Sequence, residues 1–220
     1  MKPAAFIFDL DGTLLDTLDD LADSMNLVLK RFGFPGHPPE AYKYFVGDGM
    51  EVLVQRALPI THRDEATISR CFSAMREEYA VRWKTKTKPY PGIPDLLDEL
   101  SQRRWPLTIL SNKPHDSSLM VVAELLPLWN FQMILGARPL VPKKPDPAGA
   151  LEIAEKLGLS PGEFVYLGDT GTDMLTATRA GMFPVGVLWG FRQAEELKEN
   201  GAKILLEKPL DLLRYLETNP

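Results

Sequence analysis

The chain has 220 residues, 45% of them hydrophobic, a formal net charge of −5 and a pI of about 5.3. That length implies one core domain with a smaller insertion, and an acidic balance without a basic stripe argues against a nucleic-acid partner. The single cysteine, Cys71, excludes an internal disulfide; the segment MKPAAFIF is too short before its aspartates to be a signal peptide; and no apolar run approaches the roughly 20 residues of a membrane span, so the expectation is a cytoplasmic protein with no membrane partner.

Residues 4–8 read as a short buried strand, apolar and aromatic. A helical stretch follows. Leu18, Leu21, Met25, Val28 and Phe32 share one helical face, Met50, Leu53, Val54, Ala57 and Leu58 a second, and Ile68, Phe72, Met75 and Tyr79 a third. Residues 32–39 and 58–62, rich in Gly, Pro and His, break these helices. After KTKTKPYPG (84–92) the pattern changes. Ile93, Leu96, Leu97 and Leu100 mark a helix, 106–110 a strand, Leu119 to Leu126 a helix and 133–135 a short strand. Leu151, Ala154 and Leu157 mark another helix, and 164–167, 183–187 and 203–206 three more strands. Such alternation predicts an α/β fold with a parallel, Rossmann-like sheet and right-handed crossovers. The first strand must join that sheet, since an isolated strand is unstable. Residues 1–15 and 85–220 are thus expected to form the α/β core, and 16–84 an inserted α-helical cap.

Ligands of open parallel sheets bind beyond the carboxyl ends of the strands. Four successive strand exits deliver Asp9 and Asp11; then Ser111, Asn112 and Lys113; then Lys143 and Lys144 before Pro145, Asp146 and Pro147; then Gly168, Asp169, Thr170 and Asp173. Each group alone has an ordinary explanation: a DG turn, a helix N-cap, a solvated lysine loop, acids in a first helical turn. In order, and each at an exit, they converge. Asp9 and Asp11 point the same way from an extended chain and repel unless positive charge sits beside them. Phosphoryl transfer needs this set. A carboxylate attacks, and Mg²⁺ takes oxygen ligands and neutralises the anions. A lysine and a hydroxyl hold the phosphoryl oxygens, and a second acid handles protons.

On these residues the sequence resembles the haloacid dehalogenase superfamily of phosphohydrolases. DLDGT (9–13), LSN (110–112), Lys144 in KPDP and GDTGTD (168–173) match its four motifs in order. The resemblance implies Asp9 as nucleophile and metal ligand, and Asp11 as general acid/base that lends its backbone carbonyl to the metal. It implies Asp169 as a further metal ligand and Asp173 as an acid supporting the metal or Lys144. Ser111 and Lys144 would hold the phosphoryl group, and Gly12, Thr13 and Asn112 would line the substrate. Asp11 favours phosphate esters over the dehalogenases, which lack an acid there. The insertion resembles the helical cap of one subgroup, and VGDGMEVLVQRAL (46–58) resembles a stretch of the phosphoglycolate phosphatases; an ordinary glycine turn with a solvated Arg56 is the other reading of it.

The resemblance therefore implies a Mg²⁺-dependent phosphatase for a small phosphorylated metabolite, 2-phosphoglycolate to glycolate first, through an aspartyl-phosphate. Gly49, at a helix start, and Arg56, about two turns on, would meet the substrate. Capped relatives, pyrophosphatases and phosphosugar mutases of the beta-phosphoglucomutase kind share the core motifs. A phospho-accepting signalling module is the reading from another class; the insertion and Asp11 argue against it. The chain is expected as a monomer or homodimer. His37, His62 and His115 lack metal-ligand spacing, and Cys71 and the four tryptophans are expected to pack. The stretches 14–17 and 84–91 are expected as the crossings between core and cap.

Overall fold

The computed structural model describes residues 3–219; the expected core limits at 1 and 220, and the first two residues of MKPAAFIF, lie outside the described residues. The chain divides into two compact units, Met1–Leu15 with Pro89–Pro220, and Asp16–Lys88. Among the described residues no helix is long and apolar enough to cross a membrane.

The first unit is built on a six-stranded sheet. Its strands are β1 (Ala5–Phe8), β4 (Leu107–Pro114), β5 (Phe131–Ala137), β6 (Phe164–Gly168), β7 (Phe183–Val187) and β8 (Ile204–Leu206). Their order is β5-β4-β1-β6-β7-β8 and every pairing is parallel. β1 lies in the middle and is buried on both faces, so it reads AFIF rather than alternating. Between the strands run α5 (Ile93–Gln102), α6 (His115–Leu125), α7 (Ala148–Leu157), α8 (Gly171–Ala180), α9 (Ala194–Glu199) and, last, α10 (Asp211–Thr218). Under one face, Ile7, Leu110, Ile153, Phe164, Tyr166 and Ala177 pack in a common cluster. The expected strands are present, with one informative difference. β4 runs on to Pro114 beyond the expected 106–110, so Ser111 and Lys113 stand on extended backbone, side by side.

The second unit holds α1 (Leu18–Arg31), α2 (Pro39–Tyr42), α3 (Met50–Ala57) and α4 (Glu65–Arg82). Its core is Leu21, Met25, Val28, Tyr42, Leu53, Val54 and Met75, with Cys71 fully buried among them. The short strands β2 (Leu15–Asp16) and β3 (Lys88–Pro89) pair with each other where the chain passes between units. The sequence pattern missed a clamp inside this unit. Asp20 is 2% exposed, and its carboxylate accepts from the backbone N–H groups of Lys86 and Thr87 and from the Thr87 hydroxyl at 2.8–3.1 Å. One anion thereby ties the start of α1 to the last residues of the unit.

Candidate active site

Phe8 of β1 is in register with Ile109 on β4 and Leu167 on β6, and Asp9 N–H donates to the Leu167 carbonyl at 2.9 Å. The residues after these three strands therefore emerge side by side. The sheet order reverses direction about β1, the place where an open α/β sheet opens a crevice.

Four ionisable groups meet there, all nearly or fully buried: Asp9, Lys144, Asp169 and Asp173. Lys144 Nζ sits 2.6 Å from Asp173 Oδ1 and 2.8 Å from Asp9 Oδ1. The second contact is an ion pair that does not meet hydrogen-bond geometry, which leaves Asp9 Oδ1 a buried acceptor with no hydrogen-bond donor. Asp173 is fully engaged. Its Oδ1 takes Lys144 and, at 3.4 Å, the Tyr166 hydroxyl; its Oδ2 takes the Thr170 hydroxyl at 2.6 Å and the Thr170 N–H at 3.1 Å. The Thr170 contacts close a capping box on α8, so the residue that starts the helix also aims the lysine. Gly168 is required behind it, because a Cβ there would lie 2.2 Å from that of Asp173.

Asp169 keeps acceptor capacity. Thr13 Oγ1 donates to its Oδ1 at 3.1 Å and the Phe191 N–H to its Oδ2 at 2.8 Å, two of the roughly four sites a carboxylate offers. Gly12, at φ +89°, and Gly190 enclose it; a Cβ on either would come 2.3 Å from an Asp169 atom. Trp189 Nε1 donates to the Thr13 carbonyl at 2.9 Å. The segment after β7 is thereby strapped across the first turn of the site.

Asp11 points elsewhere. Lys113 Nζ holds both its oxygens at 3.0 and 2.9 Å, with the lysine side chain 6% exposed and the aspartate 15%. The Lys113 N–H donates to Ser111 Oγ at 3.2 Å. Asn112 donates to the Lys144 carbonyl at 3.1 Å and accepts from the Lys144 N–H at 3.0 Å, pinning the Lys144 loop to β4.

The charges do not balance: three buried carboxylates face one ammonium. Burial lifts the Asp9 carboxyl from 3.8 to about 7, Lys144 pulling it down and Asp173 pushing it up. Burial also raises Asp169 well above the carboxylate range, reinforced by Asp173 and Asp9 and opposed by the Phe191 N–H and Arg192. Burial alone would lower Lys144; the carboxylates of Asp173 and Asp9 outweigh it and hold the ammonium well above its ordinary value. Such an excess is what a hard cation relieves. Asp9, Asp169 and Asp173 each offer an oxygen within 4.8 Å of the others, and an all-oxygen donor set suits Mg²⁺ rather than a thiolate-loving metal. Asp9, whose partner is the Lys144 ammonium, and the spare sites of Asp169 fit that role. Asp173, with its oxygens already held, acts through Lys144.

The core residues expected from the sequence thus lie in one unit, and the structure gives several of them protein partners. The Asp11 side chain is outside the three-carboxylate group and on Lys113. Asn112 holds the Lys144 main chain, and Thr13 and Gly12 serve Asp169. Gly49 and Arg56 belong to the helical unit. Gly49, at φ +97°, opens α3. Arg56 is half-buried on Asp48 at 2.6 Å, with the Tyr44 and Phe45 carbonyls at 3.4 Å. The sequence reading left Lys113 without a role and expected of Trp189, in the segment 188–191, only that it packs. The signals were present: Ser111 and Lys113 alternate like Asp9 and Asp11, and WGF follows a fifth strand exit.

Residues 6–187 match the family model for haloacid dehalogenase-like hydrolases. The chain belongs to that family. Curated relatives named phosphoglycolate phosphatase include those of Psychrobacter arcticus, 31% identical with 90% of this chain and 89% of that protein covered, and Aquifex aeolicus, 30% identical over 97% and 96%. Among solved structures, a haloacid dehalogenase-like family hydrolase from Streptococcus pneumoniae superposes with a TM-score of 0.87 at 27% identity, covering 97% of this chain and 98% of that one. A Lactobacillus delbrueckii subsp. bulgaricus structure reaches 0.91 at 31% identity, covering 98% and 99%. This family member is a hydrolase of phosphoric monoesters, and the expected superfamily and fold are borne out.

Proposed function

We propose that the chain is a Mg²⁺-dependent phosphatase that hydrolyses 2-phosphoglycolate to glycolate through an aspartyl-phosphate. The observation that carries the chemistry is Asp9: a buried carboxylate with one oxygen unbonded, beside Lys144 and two residues from a second acid. The relatives' names support the substrate.

Bound between Asp9 and Asp169, the cation would supply charge neutralisation for the anions and for the transferring phosphoryl oxygens. Lys144 and the Ser111 hydroxyl hold those oxygens. An Asp9 oxygen attacks phosphorus as the ester P–O bond breaks, and Asp11 gives its proton to the departing alkoxide oxygen. Asp11 then takes a proton from water. The hydroxide attacks phosphorus, Asp9 leaves as carboxylate, and inorganic phosphate is released. Asp173 and Asn112 position Lys144 from its side chain and its main chain. In the helical unit, Gly49 and the start of α3 are proposed to meet the anionic substrate. Arg56, with Asp48 as its partner, has the weaker claim. The lone buried Cys71 suits a reducing compartment, and the cytoplasm is the proposed location.

The test is kcat/KM for 2-phosphoglycolate against hexose phosphates and pyrophosphate, with Mg²⁺ and after exhaustive chelation. A preference of tenfold or more for 2-phosphoglycolate and loss of turnover on chelation are expected. A better hexose phosphate or pyrophosphate removes the substrate assignment, and unchanged rates without metal remove the cation.

A further inference from the structure

We propose that Lys113 recognises the carboxylate of the substrate, and that this recognition releases Asp11 for proton transfer. The inference rests on the proposed substrate and adds the residue that selects it.

Lys113 occupies a telling place. Its main-chain N–H contacts the Ser111 hydroxyl, assigned above to the phosphoryl group, and its ammonium grips both oxygens of Asp11, assigned to the leaving oxygen. One residue thus brackets the path from phosphorus to the departing ester oxygen. In 2-phosphoglycolate the carboxyl carbon is two bonds beyond that oxygen, so the carboxylate oxygens lie about 3 Å from it. An acid must come within about 3 Å of the ester oxygen to protonate it. A cation already 2.9 Å from that acid is therefore beside the position the substrate carboxylate takes.

Charge points the same way. Lys144 is committed to Asp9 and Asp173. Lys113 is only 8% exposed, and a buried ammonium needs an anionic partner at all times. The incoming carboxylate can take over part of that partnership, an exchange of anions around one cation that strands neither charge. The exchange also matters for turnover. With both oxygens on the Lys113 ammonium, Asp11 has neither oxygen turned to the ester. A substrate whose carboxylate draws Lys113 away frees one. A phosphate ester without a carboxylate leaves the pair closed. Selection is thereby exerted at the transition state and not only in binding.

The experiment compares 2-phosphoglycolate with ethyl phosphate, in which a methyl group replaces the carboxylate, using the full chain with Mg²⁺. In the Lys113→Met chain, kcat/KM for 2-phosphoglycolate is expected to fall roughly 100-fold more than that for ethyl phosphate, as for other sites that lose a partner for a buried polar group. Lys113→Arg is expected to restore part of the preference. An equal loss on both substrates overturns the proposal, since Lys113 then acts through Asp11 alone. If Lys113→Met does not fold, the same ratio is read in Lys113→Gln. The wild-type ratio tests the substrate reading, and its change on substitution tests Lys113. A wild-type chain indifferent to the carboxylate overturns both.

Discussion

The two units treat their polar residues in opposite ways. In the helical unit most are matched to one another, although the buried Thr17 hydroxyl has no hydrogen-bond partner among the described residues. Asp20 takes three donors from Lys86 and Thr87. Asn26 accepts from the Tyr42 hydroxyl and the His37 N–H and donates to the His37 carbonyl. Arg56 has Asp48. In the α/β unit the buried cluster is mismatched: three carboxylates, one ammonium, an aspartate oxygen without a donor, and acids forced toward their neutral forms. Most buried polar groups of a folded unit are satisfied. A site proposed to take up a cation and a phosphate keeps its electrostatics unfinished, at a cost in stability.

The contrast is broken most completely at Asp9. Asp9→Asn is expected to reduce phosphate release to background while circular dichroism stays that of the folded chain; measurable turnover would show that the mismatch serves something other than nucleophilic attack. Asp11→Asn is expected to cost roughly 10²–10⁴-fold in kcat, the usual worth of general acid–base transfer, and single-turnover phosphate release would read it.

The mismatch also predicts a pH signature. Asp9 titrates at about 7 in the folded metal-free chain against 3.8 when exposed. Between those values the folded chain keeps a proton the unfolded chain has released. Metal-free stability should therefore fall as pH rises through this window, with Asp169 adding in the same direction. The gain in Tm on adding Mg²⁺ should grow over the same interval, because the cation takes the ionised pair. Melting curves with chelator and with Mg²⁺ at several pH values check both, and a metal-free Tm that climbs from pH 4 to about 7 would contradict the assignment.

Substitutions in the helical unit should cost stability instead. Asp20→Ala strands two backbone N–H groups and a hydroxyl, and is expected to cost about 2–3 kcal/mol, roughly 5–10 °C in Tm. Arg56→Ala removes a half-exposed pair and should cost under about 1 kcal/mol, with KM for 2-phosphoglycolate within about threefold, equivalent to some 0.6 kcal/mol. A large rise in KM would return Arg56 to substrate recognition and erase the distinction between the units.

Much of the core was legible because a strand exit is a local signal. AFIF before DLDGT, or FVYL before GDTGTD, announces both the strand and the acids it carries. Partners were not legible. Asp11 and Lys113 are 102 positions apart, Thr13 and Asp169 are 156 apart, and Trp189 reaches Thr13 across 176. No periodicity links such pairs; only the strand order does. The same limit hid the tie between Asp20 and Lys86 and Thr87, 66 and 67 residues apart. It also hid the contacts of Gly12 and Thr13 with Asp169 and of Asn112 with the Lys144 main chain.

The central position of β1 has a consequence for how the protein is made. Its four residues are synthesised long before the strands that flank it, which begin at Leu107 and Phe164. At ordinary rates of translation, about 5–20 residues per second, this apolar segment waits many seconds for either neighbour. The helical unit is complete at Lys88, before either neighbour of β1 is made, so it can form on the nascent chain in the meantime. The catalytic half is assembled last. The Phe191 N–H that steadies Asp169, and the Trp189 bond to the first turn, exist only once the chain has been synthesised past β7. A ribosome-stalled chain ending within β7 would carry all four motifs, Asp169 and Asp173 included, but no strap for Asp169.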